Sequence, residues 1–386
     1  MIGVVIPPSN RSASVGHFLV MEVLERAQQL ELEGHDVVHL EVGEPDFPTP
    51  SAAVLAGISA LRSGRTHYTH SLGIPTLREA IVRSISKETG AEVPPERVVV
   101  TVGSSAALLL AFAALADPGD EIIVSDPGYP CYANIARTLG IGVVPVPAPA
   151  TNGYVLDPAD VRRAVTKRTK AIVVNSPANP TGAVTPGDVL SDLCAIGPPI
   201  VSDEIYAGLT YEGEHRSVLA YDTDAFCVSG FSKRYAMTGW RLGYVTVPQA
   251  LVRQVQAMQQ NLYISPPDFG QFAAAAVLDE HDEVAHMREA FGQRRSFLLD
   301  ELERIGVRVP VRPSGAFYVF CDLTDRTDDS MALALDILHR AHVAVAPGID
   351  FGRGGEGHVR LSYATSLDRI SEGVRRLGDY LADQRR

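Results

Sequence analysis

The sequence is poor in everything that would staple it covalently, anchor it in lipid or hold it to a polyanion. Only 4 of its 386 residues are cysteine, and Cys131, Cys194, Cys227 and Cys321 stand far apart with no Cys-x-x-Cys pair. That spacing argues against a disulfide framework or a cysteine-bound zinc ion and fits reduced thiols in a cytoplasmic protein. No apolar stretch approaches the ~20 residues needed to cross a bilayer. The N-terminus lacks a basic stretch followed by an apolar core, so neither a membrane anchor nor a secretory signal is expected. Lysine and arginine form no run, and the formal net charge is −12, which argues against nucleic acid as a partner. Internal repeats and low-complexity tracts are also missing.

What is present is an ordinary globular composition, 46% hydrophobic and 21% charged, in a length that suits two domains. An irregular N-terminal arm with Pro7 and Pro8 precedes a helical pattern over 18–33, ended by Gly34, and a short strand over 37–40. From about Asp46 to Ala285, short Val/Ile-rich strands alternate with helices. Strands are expected at 97–102, 121–125, 143–146, 171–175, 200–202, 225–229 and 243–247, with helices such as 104–116 and 132–139 between them. Near-continuous apolar runs suit strands buried on both faces, and the alternation implies an α/β fold with a mostly parallel, doubly wound sheet. Beyond 285 the pattern changes to α+β: one long helix over 268–305, strands at 308–310, 316–322 and 358–363, and helices at 330–341 and 366–384. The expected organisation is therefore a large domain of residues 46–285. Residues 1–45 and 286–386 together make a smaller one.

Ligands of such sheets bind beyond the carboxyl ends of the strands, and the distinctive residues fall there. Lys233 lies in Gly230-Phe231-Ser232-Lys233-Arg234-Tyr235-Ala236-Met237-Thr238-Gly239-Trp240-Arg241-Leu242-Gly243. An amine among apolar residues loses the solvation of its charged form, becomes more nucleophilic, and attacks carbonyls. Arg241 offers a planar fork for a phosphate. A phosphorylated aldehyde suits both, and pyridoxal 5'-phosphate is such a molecule. Gly103-Ser104-Ser105 joins a strand end to a helix start, where free N–H groups and two hydroxyls form an anion cradle. Tyr129, in a turn with Pro127 and Pro130, can stack on a flat ring. In Asn175-Ser176-Pro177-Ala178-Asn179-Pro180-Thr181-Gly182, the prolines hold the amide of Asn179 in place as a donor. Asp203 ends an apolar strand and needs a cationic partner there, such as a protonated pyridine nitrogen. Tyr206 follows as a phenol donor. Each of these is, taken singly, commonly a cap, a turn or a packing residue; together they form a set.

The set resembles the class I/II (aspartate aminotransferase-like) family of fold type I PLP-dependent aminotransferases, from Gly43 to Arg360 and with the motifs in the family's order. The resemblance implies a PLP-transferase fold and the transfer of an amino group between an L-amino acid and a 2-oxo acid in a ping-pong cycle. It implies that Lys233 bonds the cofactor covalently and shuttles a proton, and that Asp203 pairs with the pyridine nitrogen. Asn179 and Tyr206 would bond the phenolic oxygen, and Tyr129 would stack on the ring. Ser104, Ser105 and Arg241 would hold the phosphate with help from Ser232. Tyr68 would reach the phosphate of the other subunit of a homodimer; His70, which the resemblance does not assign, is its neighbour in sequence. Arg360 would clamp the substrate α-carboxylate, with the backbone of Gly43 alongside and Asn179 within reach. None of the 11 histidines is assigned a catalytic role. Two departures stand out: Gly230 replaces a serine phosphate ligand found in some relatives, and no arginine for a second substrate carboxylate can be placed. A β-lyase on the same scaffold shares these motifs. A ligand-sensing regulator would need a DNA-binding module that the first forty or so residues do not contain.

Overall fold

The structure, a computed structural model, describes residues 7–384; the first six residues of the N-terminal arm lie outside that span. The first strand, β1 (Val38–His39), is short. The next seven are β2 (Val98–Thr101), β3 (Glu121–Asp126), β4 (Gly142–Pro147), β5 (Thr169–Asn175), β6 (Ile200–Asp203), β7 (Phe226–Gly230) and β8 (Gly243–Thr246). They form one sheet in the order β2-β8-β7-β6-β5-β3-β4. Pairings from β4 across to β7 are parallel. β8 runs antiparallel to both its neighbours. All seven expected strands are present, with ends displaced by at most two residues.

The sheet is covered on both faces, which is why its strands read as unbroken apolar runs. Val98 and Val100 face one core with Leu77, Ile81, Ala273 and Val277 from the helices Pro75–Thr89 and Asp268–Val277. Val99 faces the other with Leu108, Phe112 and Ala136 from Ser104–Leu115 and Pro130–Leu139. Phe112 is fully buried, and truncating such a side chain costs about 3–5 kcal/mol.

A second, smaller layer contains β9 (Tyr318–Asp322), β10 (Val343–Ala344), β11 (Ala346–Pro347) and β12 (His358–Ser362). β11, β12 and β9 form an antiparallel sheet. β1 pairs in parallel with β10, bringing the start of the chain to this layer. The helices Leu19–Leu32, Ser330–Ala341 and Leu367–Asp383 pack on it through Val23, Leu30, Leu333, Leu338, Val374 and Leu377.

Three expectations are corrected. The long helix over 268–305 is two helices, Asp268–Val277 and Asp282–Arg304. The Glu280 carboxylate accepts the N–H groups of Asp282 and Glu283 at 3.0 and 3.2 Å, starting a new helix inside a continuous apolar periodicity. The strand at 308–310 is reduced to a single bridge between Arg308 and Asp322. The irregular arm contains a short helix, Asn10–Ser14, whose Ser12 N–H donates to the Ser9 hydroxyl at 3.2 Å. Among the described residues, no helix is long and apolar enough to cross a membrane.

Candidate active site

The parallel strands end together at one edge of the large sheet, and polar groups crowd beyond that edge. Asp203, the last residue of β6, is 3% exposed. Its carboxylate accepts from the Tyr132 hydroxyl at 2.8 Å and the Ile205 N–H at 3.2 Å. Two donors do not replace water around a buried anion, and burial pushes its carboxyl up to about 6. Tyr129 stands edge-on to Tyr132, with ring centroids 5.4 Å apart, and receives the edge of Phe18 from the N-terminal segment at 6.2 Å.

Lys233 follows β7. Its Nζ donates to the Gly43 carbonyl at 2.5 Å. Burial lowers its pKa to about 8; Glu44 and Asp203 oppose that shift, whereas Arg360 and Arg241 reinforce it. Burial thus shifts this amine toward its neutral form within range of two carboxylates and two guanidinium groups.

Arg360, in the middle of β12, is 3% exposed. One terminal nitrogen donates to the Asn179 side-chain oxygen at 2.8 Å and the other to the Glu41 carbonyl. Its Nε is buried without a protein partner. With its oxygen committed to Arg360, the Asn179 amide keeps its NH₂ group free to donate elsewhere. Asn179 is itself fixed by its own N–H, which donates to the Asn175 side chain at 2.8 Å, and by the Asn175 amide, which donates to the Asp203 carbonyl at 3.0 Å.

At the start of the helix Ser104–Leu115, Gly103 occupies the capping position with no side-chain cap. A Cβ on Gly103 would lie 2.6 Å from Arg241 Nη2, so the guanidinium packs against the glycine that precedes the uncapped helix. Arg241 itself has a φ of 52°, an uncommon backbone state for a non-glycine residue and one that clusters at ligand sites. Ser232 is buried beside Lys233. A Cβ on Gly230 would lie 3.0 Å from the Gly243 Cα and 3.1 Å from the Leu242 carbonyl, so packing accounts for the missing serine.

Tyr68, expected at the other subunit's phosphate, and its neighbour His70 stand apart from this cluster within one chain. Tyr68 is 81% exposed and projects from the surface. His70 serves its own turn: its Nδ1 accepts from the Leu72 N–H at 3.2 Å, and its Nε2 faces Gln256. Three participants escaped sequence reading. Tyr132 is the phenol on Asp203, Tyr318 bonds the Tyr206 hydroxyl at 2.8 Å, and Glu41 lends its carbonyl to Arg360. None of the three had a local signal: Tyr132, for example, meets Asp203 across 71 positions of sequence.

The arrangement suits a flat, phosphorylated heteroaromatic aldehyde. It provides a shielded amine, an under-solvated acid for a ring cation, a helix-end and arginine cradle for a phosphate, and a buried guanidinium with an open donor for a carboxylate. Among the described residues, no acid, histidine and cysteine cluster is arranged to hold a metal ion.

Known proteins agree with this chemistry. The aspartate/prephenate aminotransferase of Thermus thermophilus is 41% identical over 97% of this chain and 98% of its own. The (5-formylfuran-3-yl)methyl phosphate transaminase of Methanocaldococcus jannaschii is 39% identical over 97% and 99%. The valine–pyruvate aminotransferase of Mycobacterium tuberculosis is 39% identical over 96% and 98%. The solved structure of Thermus thermophilus aspartate aminotransferase with maleate superposes with a TM-score of 0.93, at 41% identity, over 97% of this chain and all of that one. The family described as aminotransferase class I and II matches residues 35–377, and the chain belongs to that family of pyridoxal 5'-phosphate-dependent transaminases.

Proposed function

We propose that this aminotransferase moves an amino group between an L-amino acid and a 2-oxo acid with the residues above in distinct roles. Bound pyridoxal 5'-phosphate supplies an electrophilic carbon and an electron-withdrawing ring. Lys233 Nζ would be the covalent attachment point, and when free it would take the proton from the substrate α-carbon and give it back later in the transfer. Asp203 holds a proton on the ring nitrogen, which resolves the cost of its own burial. The Asn179 amide and the Tyr206 hydroxyl donate to the ring oxygen. Ser104, Ser105, Ser232 and Arg241 bind the phosphate, and Tyr129 covers one ring face against water. Arg360 binds the substrate α-carboxylate as a fork and thereby orients the α-proton toward Nζ, with Gly43 beside it.

The observation that carries this reading is Lys233 itself, a shielded amine with a pKa near 8 among complementary charges. Borohydride treatment of the holoenzyme, digestion and peptide sequencing should place the label on Lys233; a label on another lysine would refute the assignment. A panel of amino donors and oxo acids then defines specificity. Neutral and dicarboxylic amino acids are both open as donors, and the panel decides between them.

We further propose a cytoplasmic homodimer. Leu55, Ile58 and Leu61 are exposed along one face of the helix Ser51–Arg62, and Leu262, Ile264 and Tyr68 are exposed as well. Pairing would bury this apolar surface and bring Tyr68 to the phosphate of the other subunit. The division into a large unit of 46–285 and a small unit of 1–45 with 286–386 belongs to the same proposal, supported by the β1–β10 pairing.

A further inference from the structure

Tyr318 opens β9 and is 1% exposed. It touches three parts of the site at once. Its hydroxyl lies 2.8 Å from the Tyr206 hydroxyl. Its ring lies under the Arg360 guanidinium, whose carbon is 4.3 Å from the ring centroid, and Phe351 adds a second ring at 5.0 Å. A Cβ on Gly43 would fall 2.2 Å from the Tyr318 hydroxyl oxygen, so this hydroxyl fills the space that glycine leaves beside the carbonyl accepting from Lys233.

We propose that Tyr318 is a positioning residue that aims the Tyr206 proton at the cofactor's ring oxygen and fixes the plane of Arg360 for the substrate carboxylate. The proposal rests on the roles given above to Tyr206 and Arg360. Two neutral phenols at hydrogen-bond distance share a single proton between their oxygens, so one donates and the other accepts. Among the described residues, the Tyr318 hydroxyl has no other hydrogen-bond partner. When it donates to the Tyr206 oxygen, the Tyr206 proton is released to point elsewhere, and accepting that bond makes Tyr206 a stronger donor. Burial keeps both phenols protonated far into the alkaline range. On the other side, a guanidinium stacked on an aromatic face loses rotational freedom while keeping its edge available for hydrogen bonds. One side chain therefore orders one group facing each reactant.

The test separates hydroxyl from ring. Tyr318→Phe keeps the ring: the pH titration of the bound cofactor's visible absorbance should move upward by about half a unit, with KM for the amino acid changed less than about twofold. Tyr318→Leu removes both: the same titration shift should come with a KM raised about tenfold. Tyr206→Phe serves as the reference and should move the titration by more than about one unit. If Tyr206→Phe shifts the titration and Tyr318→Phe does not, the positioning role fails; if neither shifts it, the role of Tyr206 itself fails. Equal KM values for the Phe and Leu variants overturn the stacking role. A readout independent of the cofactor comes from the melting temperature of the apoprotein. Gly43→Ala should lower it in the wild-type background and by clearly less beside Tyr318→Phe, and equal losses in both backgrounds overturn the contact.

Discussion

Asp203 and Glu204 are adjacent buried acids at the end of the same strand, and their surroundings are opposite. Asp203 looks toward the site, where it has a phenol and one N–H, and burial leaves its carboxyl at about 6. Glu204 looks to the reverse side. Burial pushes its pKa up as well, but His215 at 3.4 Å, the Val218 N–H at 2.8 Å and nearby hydroxyls outweigh that and hold it below its ordinary value. Around them stand other charged groups. On the reverse side, Arg97 donates to the Val247 and Thr223 carbonyls, and Arg234 meets both oxygens of Glu88. On the site side, Lys233 is shifted toward neutrality, Arg360 keeps an unpartnered nitrogen, and the helix at Gly103 is uncapped. His215 and Arg234 on the reverse side also keep buried ring and guanidinium nitrogens without hydrogen-bond partners, so the contrast lies in the two carboxyl groups: one is stabilised as an anion by its neighbours, and the other is left for a ligand to stabilise.

The sharpest way to break this contrast is Lys233→Ala. Turnover should fall by at least about a thousandfold, while the melting temperature of the apoprotein stays level or rises; a loss of stability matching the loss of activity would put Lys233 on the structural side. Next, Arg360→Lys should raise KM for the amino acid by about 10–100-fold, because an ammonium cannot reproduce the fork. Steady-state kinetics that show only a lower kcat would contradict it. The third test is the most diagnostic, because the two acids should respond to pH with opposite signs. In the apoprotein, the Asp203 carboxyl titrates near 6, against 3.8 in an open chain. Folding therefore favours its protonated form, and wild type should lose stability relative to Asp203→Asn as pH rises from 4 through 6, by about 2–3 kcal/mol. For Glu204, with a lowered folded pKa, the carboxylate contributes stability above its open-chain value of 4.5 and loses it as pH falls. Glu204→Gln should thus be the less stable protein at neutral pH, with the deficit closing in acid. Slopes of the same sign in paired thermal melts would erase the distinction drawn here.

Much of this was legible in the chain. The seven strands were recognisable because both of their faces are buried, which leaves a two-sided apolar signal. Lys233 and Asp203 stood out as polar groups in apolar surroundings, Asn179 as an amide held between prolines, and Arg360 came only with the family resemblance. The misses share a cause. Tyr318 meets Tyr206 across 112 positions of sequence, and no local pattern encodes that encounter. The helix break before Asp282 depends on one acid turning back onto two N–H groups, inside a periodicity that continues through it. Tyr68 is a different case: it was placed by family analogy at the other subunit's phosphate, and its exposure in one chain leaves it to the homodimer proposed above.

The bond from Lys233 to Gly43 spans 190 positions. The reactive amine therefore takes its carbonyl partner from a segment outside the sheet that carries it, so forming the sheet alone does not complete its surroundings. During refolding, trapping by an added aldehyde should lag behind the recovery of secondary structure, so reactivity at this one nitrogen would serve as a clock for the closing of the molecule.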